Sequence, residues 1–178
     1  TDRRLFVTLT ARGIAASGAD TADAQGLALD VSYRDEEGRV IDVTRLVQGT
    51  DLIARIVVTN TTSYRIDNIA LAHLVPAGWE IHNERMEGFD ALGEREGGDA
   101  RLPWWIEQSS NANVEYVDVR DDRIYRFFSL KPRESITITT RLNAAYRGRF
   151  YLPSVNVEAM YDASRFARTK GQWVEVVQ

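Results

Sequence analysis

One short stretch decides the fold: residues 146–161 read Tyr-Arg-Gly-Arg-Phe-Tyr-Leu-Pro-Ser-Val-Asn-Val-Glu-Ala-Met-Tyr. Gly148 supplies a turn because glycine adopts positive φ easily, and Pro153, which lacks an N–H, predicts a strand edge or the start of a new strand. From residue 155 onward apolar and polar residues alternate, with Val155, Val157, Ala159 and Tyr161 on one face. This period of two predicts a strand with one face on a core.

The segments before and after this stretch predict strands that can pair with it. Residues 27–33 alternate, residues 52–59 are rich in β-branched side chains, and residues 69–75 are apolar nearly throughout. Residues 40–43 predict the return strand of a hairpin that turns at 35–38. Further strands are predicted at 114–119, 124–130, 135–144 and 173–177, whereas 162–171 is interpreted as a charged loop.

These patterns together predict an all-β protein, a two-sheet antiparallel β-sandwich of immunoglobulin-like type with roughly eight to ten short strands. We expect at most one or two short helices, with residues 84–92 as a candidate. In the long strand at 135–144 the core face should carry Ile136, Ile138, Thr140 and Leu142.

Composition excludes several function classes. The 178 residues are 44% hydrophobic and 27% charged, which is typical of a globular domain. The net charge of −4 argues against a nucleic-acid surface, because phosphate binding requires clustered basic residues. There is no cysteine, so this chain has no thiol nucleophile and no thiolate metal ligand. We expect no cofactor.

The composition of the first residues predicts a domain boundary near residue 22. Residues 1–22 are expected to form an N-terminal strand and a linker that could complete a preceding domain, and residues 23–178 the sandwich domain itself. The alternating Leu5, Val7 and Leu9 predict the strand, and the small polar residues that follow predict the linker. Because the sequence does not begin with Met, we expect it to be a part of a longer protein.

Candidate catalytic residues are few. His73 follows an apolar run and is interpreted as a hydrogen-bonded interior histidine, and His82 as a surface residue. No Gly-x-Ser-x-Gly elbow and no phosphate-binding glycine loop is present, so the sequence does not indicate a hydrolase or a nucleotide enzyme. We expect that the domain is not an enzyme.

Two further motifs have a structural and a functional interpretation. Asp118, Asp121 and Asp122 carry the oxygens that calcium prefers, but arginines interleave with them, which favours local salt bridges. No metal site is therefore predicted. The triplet that begins at Asn60 spells a glycosylation sequon, a pattern that is common by chance.

The four tryptophans divide into two groups. Trp79 and Trp173 are expected in the core, because a buried indole removes a large apolar area from water. Trp104 and Trp105 are adjacent, so both cannot point inward on an extended chain, and one is a candidate for an interface. We expect the segment 102–106 around them to cap the open end of the core.

The order and spacing of several motifs resemble the C-terminal domain of bacterial alpha-2-macroglobulins, from about Gly26 to the end of the chain. Each motif alone is weak, but their occurrence in series is specific. The segments that carry the resemblance are Val75–Ile81, Tyr116–Arg123, Gly148–Pro153 with Val157–Tyr161, and Trp173–Val176.

This resemblance implies a macroglobulin-like β-sandwich and an inhibitor of endopeptidases. Members of the family are large periplasmic or cell-surface proteins, often lipid-anchored, in which a protease cuts a bait region and triggers a rearrangement that traps it. In thioester-bearing members a thioester on a helical domain captures the protease covalently, and the C-terminal domain packs on that helical domain. The implied partners are therefore other domains of the same parent chain and the trapped proteases, and not a nucleic acid or a membrane.

The resemblance also implies site residues. Met160 and Tyr161 fall in the last core motif of the family, where a tyrosine beside the thioester domain would act as a shield. The phase of Tyr161 with Val157 equally allows burial in the core of this domain. The alternative function is a cell-surface adhesion or carbohydrate-binding module that uses Trp104 and Trp105.

Overall fold

The computed structural model describes residues 7, 8, 10, 21–82, 103–109 and 114–178. The strand predicted around Leu5 and the helix predicted at 84–92 lie outside these residues. The elements are β1 (Asp23–Gln25), β2 (Leu27–Arg34), β3 (Arg45–Val47), β4 (Asp51–Asn60), β5 (Ile66–Leu74), β6 (Glu80–Ile81), α1 (Trp104–Glu107), β7 (Tyr116–Val119), β8 (Arg123–Leu130), β9 (Ser135–Asn143), β10 (Gly148–Leu152), β11 (Asn156–Ala159), β12 (Asp162–Arg168) and β13 (Gln172–Val177).

Two large antiparallel sheets face each other, which confirms the predicted all-β sandwich. The first is six-stranded in the order β1-β12-β11-β5-β8-β7, and the second is four-stranded in the order β2-β4-β9-β6. Strand β5 lies inside the first sheet, between β11 and β8, as the apolar run at 69–75 indicates.

The core between the two large sheets comes from alternating strand residues. On β9 the side chains of Ile136, Ile138, Thr140 and Leu142 are all buried, which confirms the face predicted from the sequence. Phe128 of β8 is fully buried among them, and Val157 and Ala159 of β11 close the same cluster. Each fully buried aliphatic side chain contributes roughly 1.5–3 kcal/mol of hydrophobic stabilisation.

A third, three-stranded sheet in the order β10-β13-β3 was not predicted. Its strands β13 and β3 run parallel, whereas the sequence predicted antiparallel pairing only. This sheet has its own buried cluster, in which Leu152, Val174 and Val176 pack with Leu52 and Leu142 of the four-stranded sheet. The chain passes from β10 into β11 and from β12 into β13, so the small sheet follows the six-stranded sheet along the chain and, like it, packs on the four-stranded sheet.

Trp79 anchors this second cluster. It is buried, as predicted, and its ring meets Tyr33 edge to face at 5.7 Å between centroids. The turn that carries it also fits closely against β10, since a Cβ atom at Gly78 would lie 2.1 Å from Cε2 of Phe150. Glycine is required at this position because any larger side chain would overlap the Phe150 ring. The contact joins two of the segments that carry the family resemblance.

Two predicted local structures are wrong. Residues 40–43 do not form a return strand: only a single bridge joins Arg34 to Val40, and the Asp42 carboxylate accepts a hydrogen bond from the backbone N–H of Thr44 at 2.9 Å and turns the chain toward β3. Residues 162–171 are not a loop, because most of them form β12, which pairs on both sides with β1 and β11. Strand β12 was missed because few of its side chains are apolar, so its backbone pairing left no pattern in the sequence.

Helix α1 lies in a different place from the one expected. Thr139 Oγ1 donates to the carbonyl oxygen of Trp105 at 2.8 Å, and Thr139 points away from the core face of β9. The indole N–H of Trp104 donates to the carbonyl oxygen of Glu36 at 3.0 Å. The segment therefore covers the outer face of the four-stranded sheet and the turn after β2, and does not cap the open end of the core.

Candidate docking surface

The Met160–Tyr161 turn joins β11 to β12 and projects from one end of the sandwich. The pairing of the two strands shifts register between Glu158 and Ala159, so Ala159 lies opposite Asp162 and the strand ends there. Tyr161 therefore lies beyond the end of β11 and no longer follows the buried–exposed alternation of Val157 and Ala159. Of the two arrangements that the sequence allowed, the structure adopts the exposed one: the Tyr161 side chain is 84% exposed and Met160 is 51% exposed.

The backbone of the turn is held by its neighbour β5. The N–H of Met160 donates to the carbonyl oxygen of Asn68 at 2.9 Å. Asn68 has a φ of 54°, in the left-handed region that asparagine tolerates better than most residues, and it lies where the pairing of β5 with β8 shifts register. An irregularity in each of two adjacent strands thus fixes where the turn projects.

A second exposed aromatic side chain lies beside the turn. Tyr64, on the loop between β4 and β5, is 46% exposed, and its hydroxyl oxygen accepts a hydrogen bond from Nε of Arg165. The guanidinium carbon of Arg165 also lies 5.7 Å from the centre of the Tyr64 ring. On its other side Arg165 pairs with Asp162 at 3.8 Å. Sequence reasoning missed Tyr64 and Arg165, because they are distant in sequence and neither lies in a recognisable motif.

Asn60 fixes the loop that presents Tyr64. Its side chain is fully buried, and Nδ2 donates to the carbonyl oxygens of Tyr64 at 2.7 Å and Lys131 at 3.0 Å. Its Oδ1 accepts hydrogen bonds from the N–H and the hydroxyl of Thr62. Because Nδ2 is buried and already bonded, Asn60 is not accessible to glycosylation in the folded domain, and its side chain serves to hold the loop.

Between these groups lies a recess of about 250 Å³. Its lining includes Tyr64, Ile66, Asn68, Ala159, Tyr161 and Arg165. Hydrogen bonds from the side chain and the backbone of Ser164 hold the pKa of Asp162, at the rim, below its usual value. The surface therefore offers an apolar ring, a recess for one side chain and the Asp162–Arg165 ion pair at the rim. Such features suit docking onto another protein.

The two histidines do not supply a catalytic base at this surface. His73 is fully buried between the sheets, and burial, with a contribution from Arg126, lowers its pKa to about 3. Its burial was predicted, but its expected hydrogen bond was not found: neither ring nitrogen has a partner in the part of the chain that the structure describes. His82 is not a simple surface residue, because its Nε2 lies 3.2 Å from Oδ1 of Asp51.

Two of the three aspartates in the 118–123 segment, Asp118 and Asp122, form ion pairs as predicted, whereas Asp121 forms none within the described residues. Nε of Arg120 lies 3.1 Å from Oδ2 of Asp118, and Arg123 pairs with Asp122 through two nitrogens. Within the described ranges, no group of three or more His, Asp or Glu side chains is arranged to hold a metal ion. In the same ranges, no helix is long and apolar enough to cross a membrane.

The other three tryptophans are all at least partly exposed to solvent. Trp173 is 46% exposed, so its predicted burial is wrong. The signal was present in the sequence, since Trp173 alternates with Val174 and Val176, which are buried. Trp104 and Trp105 are half-buried and meet edge to face at 5.9 Å on the opposite side of the four-stranded sheet from the core.

The two facing sheets define a macroglobulin-type β-sandwich domain. The family model of the bacterial alpha-2-macroglobulin MG10 domain matches residues 26–163, and this chain belongs to that family. The matched range includes Met160 and Tyr161 and ends before Trp173–Val176, the last segment of the resemblance.

Curated relatives agree. The chain is 28% identical over 159 residues to an alpha-2-macroglobulin homolog of Yersinia pestis, which covers 85% of this chain and 8% of the relative. It is 25% identical over 169 residues to the alpha-2-macroglobulin of Pasteurella multocida, which covers 94% of this chain and again 8% of the relative. The chain thus spans about one twelfth of the length of these relatives.

Solved structures show the same fold. Native alpha-2-macroglobulin from Escherichia coli, from domain MG7 to the C-terminus, superposes with a TM-score of 0.75 at 20% identity and covers 90% of this chain and 25% of that one. Salmonella alpha-2-macroglobulin reacted with methylamine gives a TM-score of 0.72 at 18% identity, covering 89% of this chain and 10% of that one.

Proposed function

We propose that this MG10 domain is a non-catalytic docking domain of a protease-trapping bacterial alpha-2-macroglobulin. In the resting parent, the Met160–Tyr161 turn packs on the helical domain that carries the thioester and keeps water from it. Cleavage of the bait region by a protease triggers a rearrangement that withdraws the turn and exposes the thioester to the attacker. The parent acts in the periplasm or at the cell surface, where a lipid anchor would hold it.

One observation carries the proposal: Tyr161 has the largest exposed fraction of any large apolar side chain in the described residues, and yet the backbone N–H of Met160 directly before it is bonded to Asn68. A side chain that exposes an aromatic ring in solution loses hydrophobic stabilisation that it would regain at an interface. The phenol hydroxyl would reach a polar group on the partner while the ring excludes water. The adjacent thioether of Met160 is flexible and fits an irregular surface.

The recess beside the turn adds specificity. A partner side chain that enters between Tyr64 and Tyr161 would meet the Arg165–Asp162 pair at the rim. The interface would therefore combine an apolar centre with a charged edge, the arrangement of ordinary protein–protein contacts.

The test uses the intact, thioester-bearing parent and the substitution Tyr161→Ala. Release of the thiol in buffer and in methylamine measures how fast the thioester is lost. We expect the substitution to increase both rates severalfold, because water and small amines then reach the thioester carbonyl. The matched control is Tyr116→Ala, which removes a similarly exposed tyrosine from β7 and should leave both rates unchanged.

Two results would contradict the proposal. The first is unchanged methylamine reactivity in Tyr161→Ala when the control behaves as wild type. The second is a parent gene that encodes macroglobulin domains without a Cys-x-Glu-Gln thioester motif, since the turn would then have nothing to shield and the domain would serve a non-covalent trap.

The carbohydrate-binding alternative is not favoured by the tryptophan geometry. The indole N–H of Trp104 already donates to a carbonyl oxygen of this chain, and the two rings stand at 89° to each other instead of forming one flat platform. Trp104 and Trp105 remain candidates for contact with a neighbouring domain, on a different side of the sandwich from the turn.

A further inference from the structure

The three-stranded sheet has one face in the core and one face open. Along β13, Val174 and Val176 point into the second core cluster, so Trp173 and Glu175 point outward. The register of β10 and β3 with β13 places the neighbours of these two residues. The outer face, defined here as the sheet-end face, consists of Arg45, Val47, Arg149, Tyr151, Trp173, Glu175 and Val177.

Trp173 and Arg149 form a pre-organised pair on this face. The guanidinium carbon of Arg149 lies 4.7 Å from the centre of the Trp173 ring, which is a cation–π contact. Tyr151 meets the same indole edge to face at 5.5 Å. Tyr151 thus restricts the indole and the indole restricts the Arg149 side chain before any partner binds, which lowers the entropy lost on binding.

The two arginines of this face form no ion pair with any carboxylate that the structure describes. Arg149 and Arg45 lie directly across from Glu175 on either side, but neither forms an ion pair with it or with any other carboxylate among the described residues. The sheet-end face therefore carries an excess of positive charge, although the chain as a whole has a net charge of −4. A partner that supplies carboxylates would be complementary to it.

We infer that the sheet-end face binds an acidic segment of a partner protein, with a carboxylate on Arg149 and a neighbouring apolar side chain on Trp173. Arginine, tryptophan and tyrosine are the residue types that dominate binding energy at protein interfaces. A guanidinium stacked on an indole still has its N–H groups free for bidentate binding of a carboxylate. This face is formed by strands remote from the Met160–Tyr161 turn, so the inference does not depend on the proposed shielding role.

A second copy of the chain is a less suitable occupant. Three strands about 4.8 Å apart give a face only about 10 Å wide. A stable protein dimer usually buries about 800 Å² on each partner, which is far more than this face offers. A short acidic segment requires no such area.

The test follows the indole N–H resonance of Trp173 by NMR in the ¹⁵N-labelled chain, assigned with Trp173→Phe. The probe is a synthetic acetylated peptide of alternating Glu and Leu, and its matched control replaces Glu by Gln. We expect the acidic peptide to shift the Trp173 indole and saturate at millimolar concentration. Arg149→Gln should weaken binding about tenfold, because a charge-assisted hydrogen bond is lost. Arg133→Gln, at an exposed arginine in the turn between β8 and β9, should leave it unchanged.

Three outcomes would overturn the inference. If the Gln peptide binds as tightly as the Glu peptide, the contact is apolar and carboxylates are not recognised. If neither peptide shifts the Trp173 indole at millimolar concentration, the face is not a peptide site. If the resonance instead shifts with the concentration of the chain alone, the occupant is a second copy.

Discussion

The Met160–Tyr161 turn and the sheet-end face both expose aromatic side chains, but they hold them in different ways. At the turn the backbone is fixed by Asn68 while the Tyr161 ring projects into solvent. On the sheet-end face the ring of Trp173 is itself packed, under Arg149 and against Tyr151. The first site presents a side chain that gains its contacts only from a partner, whereas the second presents a side chain that is ordered in advance.

The two sites also depend on different buried groups. The turn depends on the backbone hydrogen bond to Asn68, and the neighbouring Tyr64 loop depends on polar bonds from Asn60. The sheet-end face depends on the apolar cluster that contains Trp79. A substitution in either support should therefore disturb one site more than the other. Three of the four predictions below use this difference, and the acid response should affect both sites alike; the largest effect comes first.

The largest effect is expected from Asn60→Ala, which removes the bracket of the Tyr64 loop. Several backbone groups of Tyr64, Lys131 and Thr62 lose their partner, and we expect the free energy of unfolding to fall by about 3 kcal/mol. Urea denaturation measures the loss. Asn156→Ala, which removes an exposed asparagine from β11, is the control and should cost little. Equal losses in both variants would show that Asn60 is not a special support.

Gly78→Ala should lower the free energy of unfolding by about 2 kcal/mol, because the new Cβ overlaps the Phe150 ring beneath the sheet-end face. The Trp173 indole resonance should shift, while the ring resonances of Tyr161 should not. In a Phe150→Leu background the same substitution should cost less, since the smaller side chain leaves room. A cost that does not depend on the residue at 150 would mean that the close contact is not its cause.

Acid should destabilise both ends together through His73. An unfolded histidine titrates near 6.5, whereas the pKa of buried His73 is about 3, so the unfolded chain takes up the proton first as the pH falls. The stability that neutral His73 contributes is complete above pH 6.5 and decreases by roughly 1 kcal/mol per pH unit as the pH falls toward 3. His73→Leu should flatten the urea-derived stability profile between pH 6.5 and 4.5. A profile as steep as that of wild type would assign the acid sensitivity to other groups.

The smallest expected changes in stability distinguish the exposed side chains of Trp173 and Tyr161. Trp173→Ala should lower the free energy of unfolding by about 1 kcal/mol, because it loses a cation–π contact and an aromatic pair. Tyr161→Ala should change it by less than about 0.5 kcal/mol, since the ring makes few contacts within the domain. Thermal or urea unfolding of both variants checks the order. A larger loss for Tyr161→Ala would mean that its ring stabilises this domain and is not kept for a partner.

Sequence patterns predicted the parts of the fold that repeat and missed those set by tertiary contacts. The β9 face was predicted correctly because four side chains alternate in register. Strand β12 was missed, because its neighbours supply backbone hydrogen bonds that leave no apolar pattern, and the strand predicted at 40–43 is replaced by a turn at Asp42. The parallel pair β3–β13 joins segments far apart in sequence, which no local pattern can indicate.

The sequence predicted only part of the candidate site, because strand pairing brings the other residues to it. Met160 and Tyr161 came from a family resemblance, and the alternation of β11 alone would have allowed Tyr161 to be buried. The register shift at Ala159 that exposes it is a property of strand pairing. Tyr64 and Arg165 join the site only because β5 and β12 lie on either side of β11. Trp173 was predicted to be buried because of its large apolar area, whereas its position in the alternation of β13 places it on the exposed face.

The most direct test of the docking role places a photoreactive benzoylphenylalanine at position 161 in the intact parent and maps its cross-links by mass spectrometry. The account predicts a cross-link to the helical domain close to the thioester, in the resting protein only, and its loss after a protease cleaves the bait region. A cross-link to another domain, or the same cross-link before and after cleavage, would contradict the claim that this turn shields the thioester.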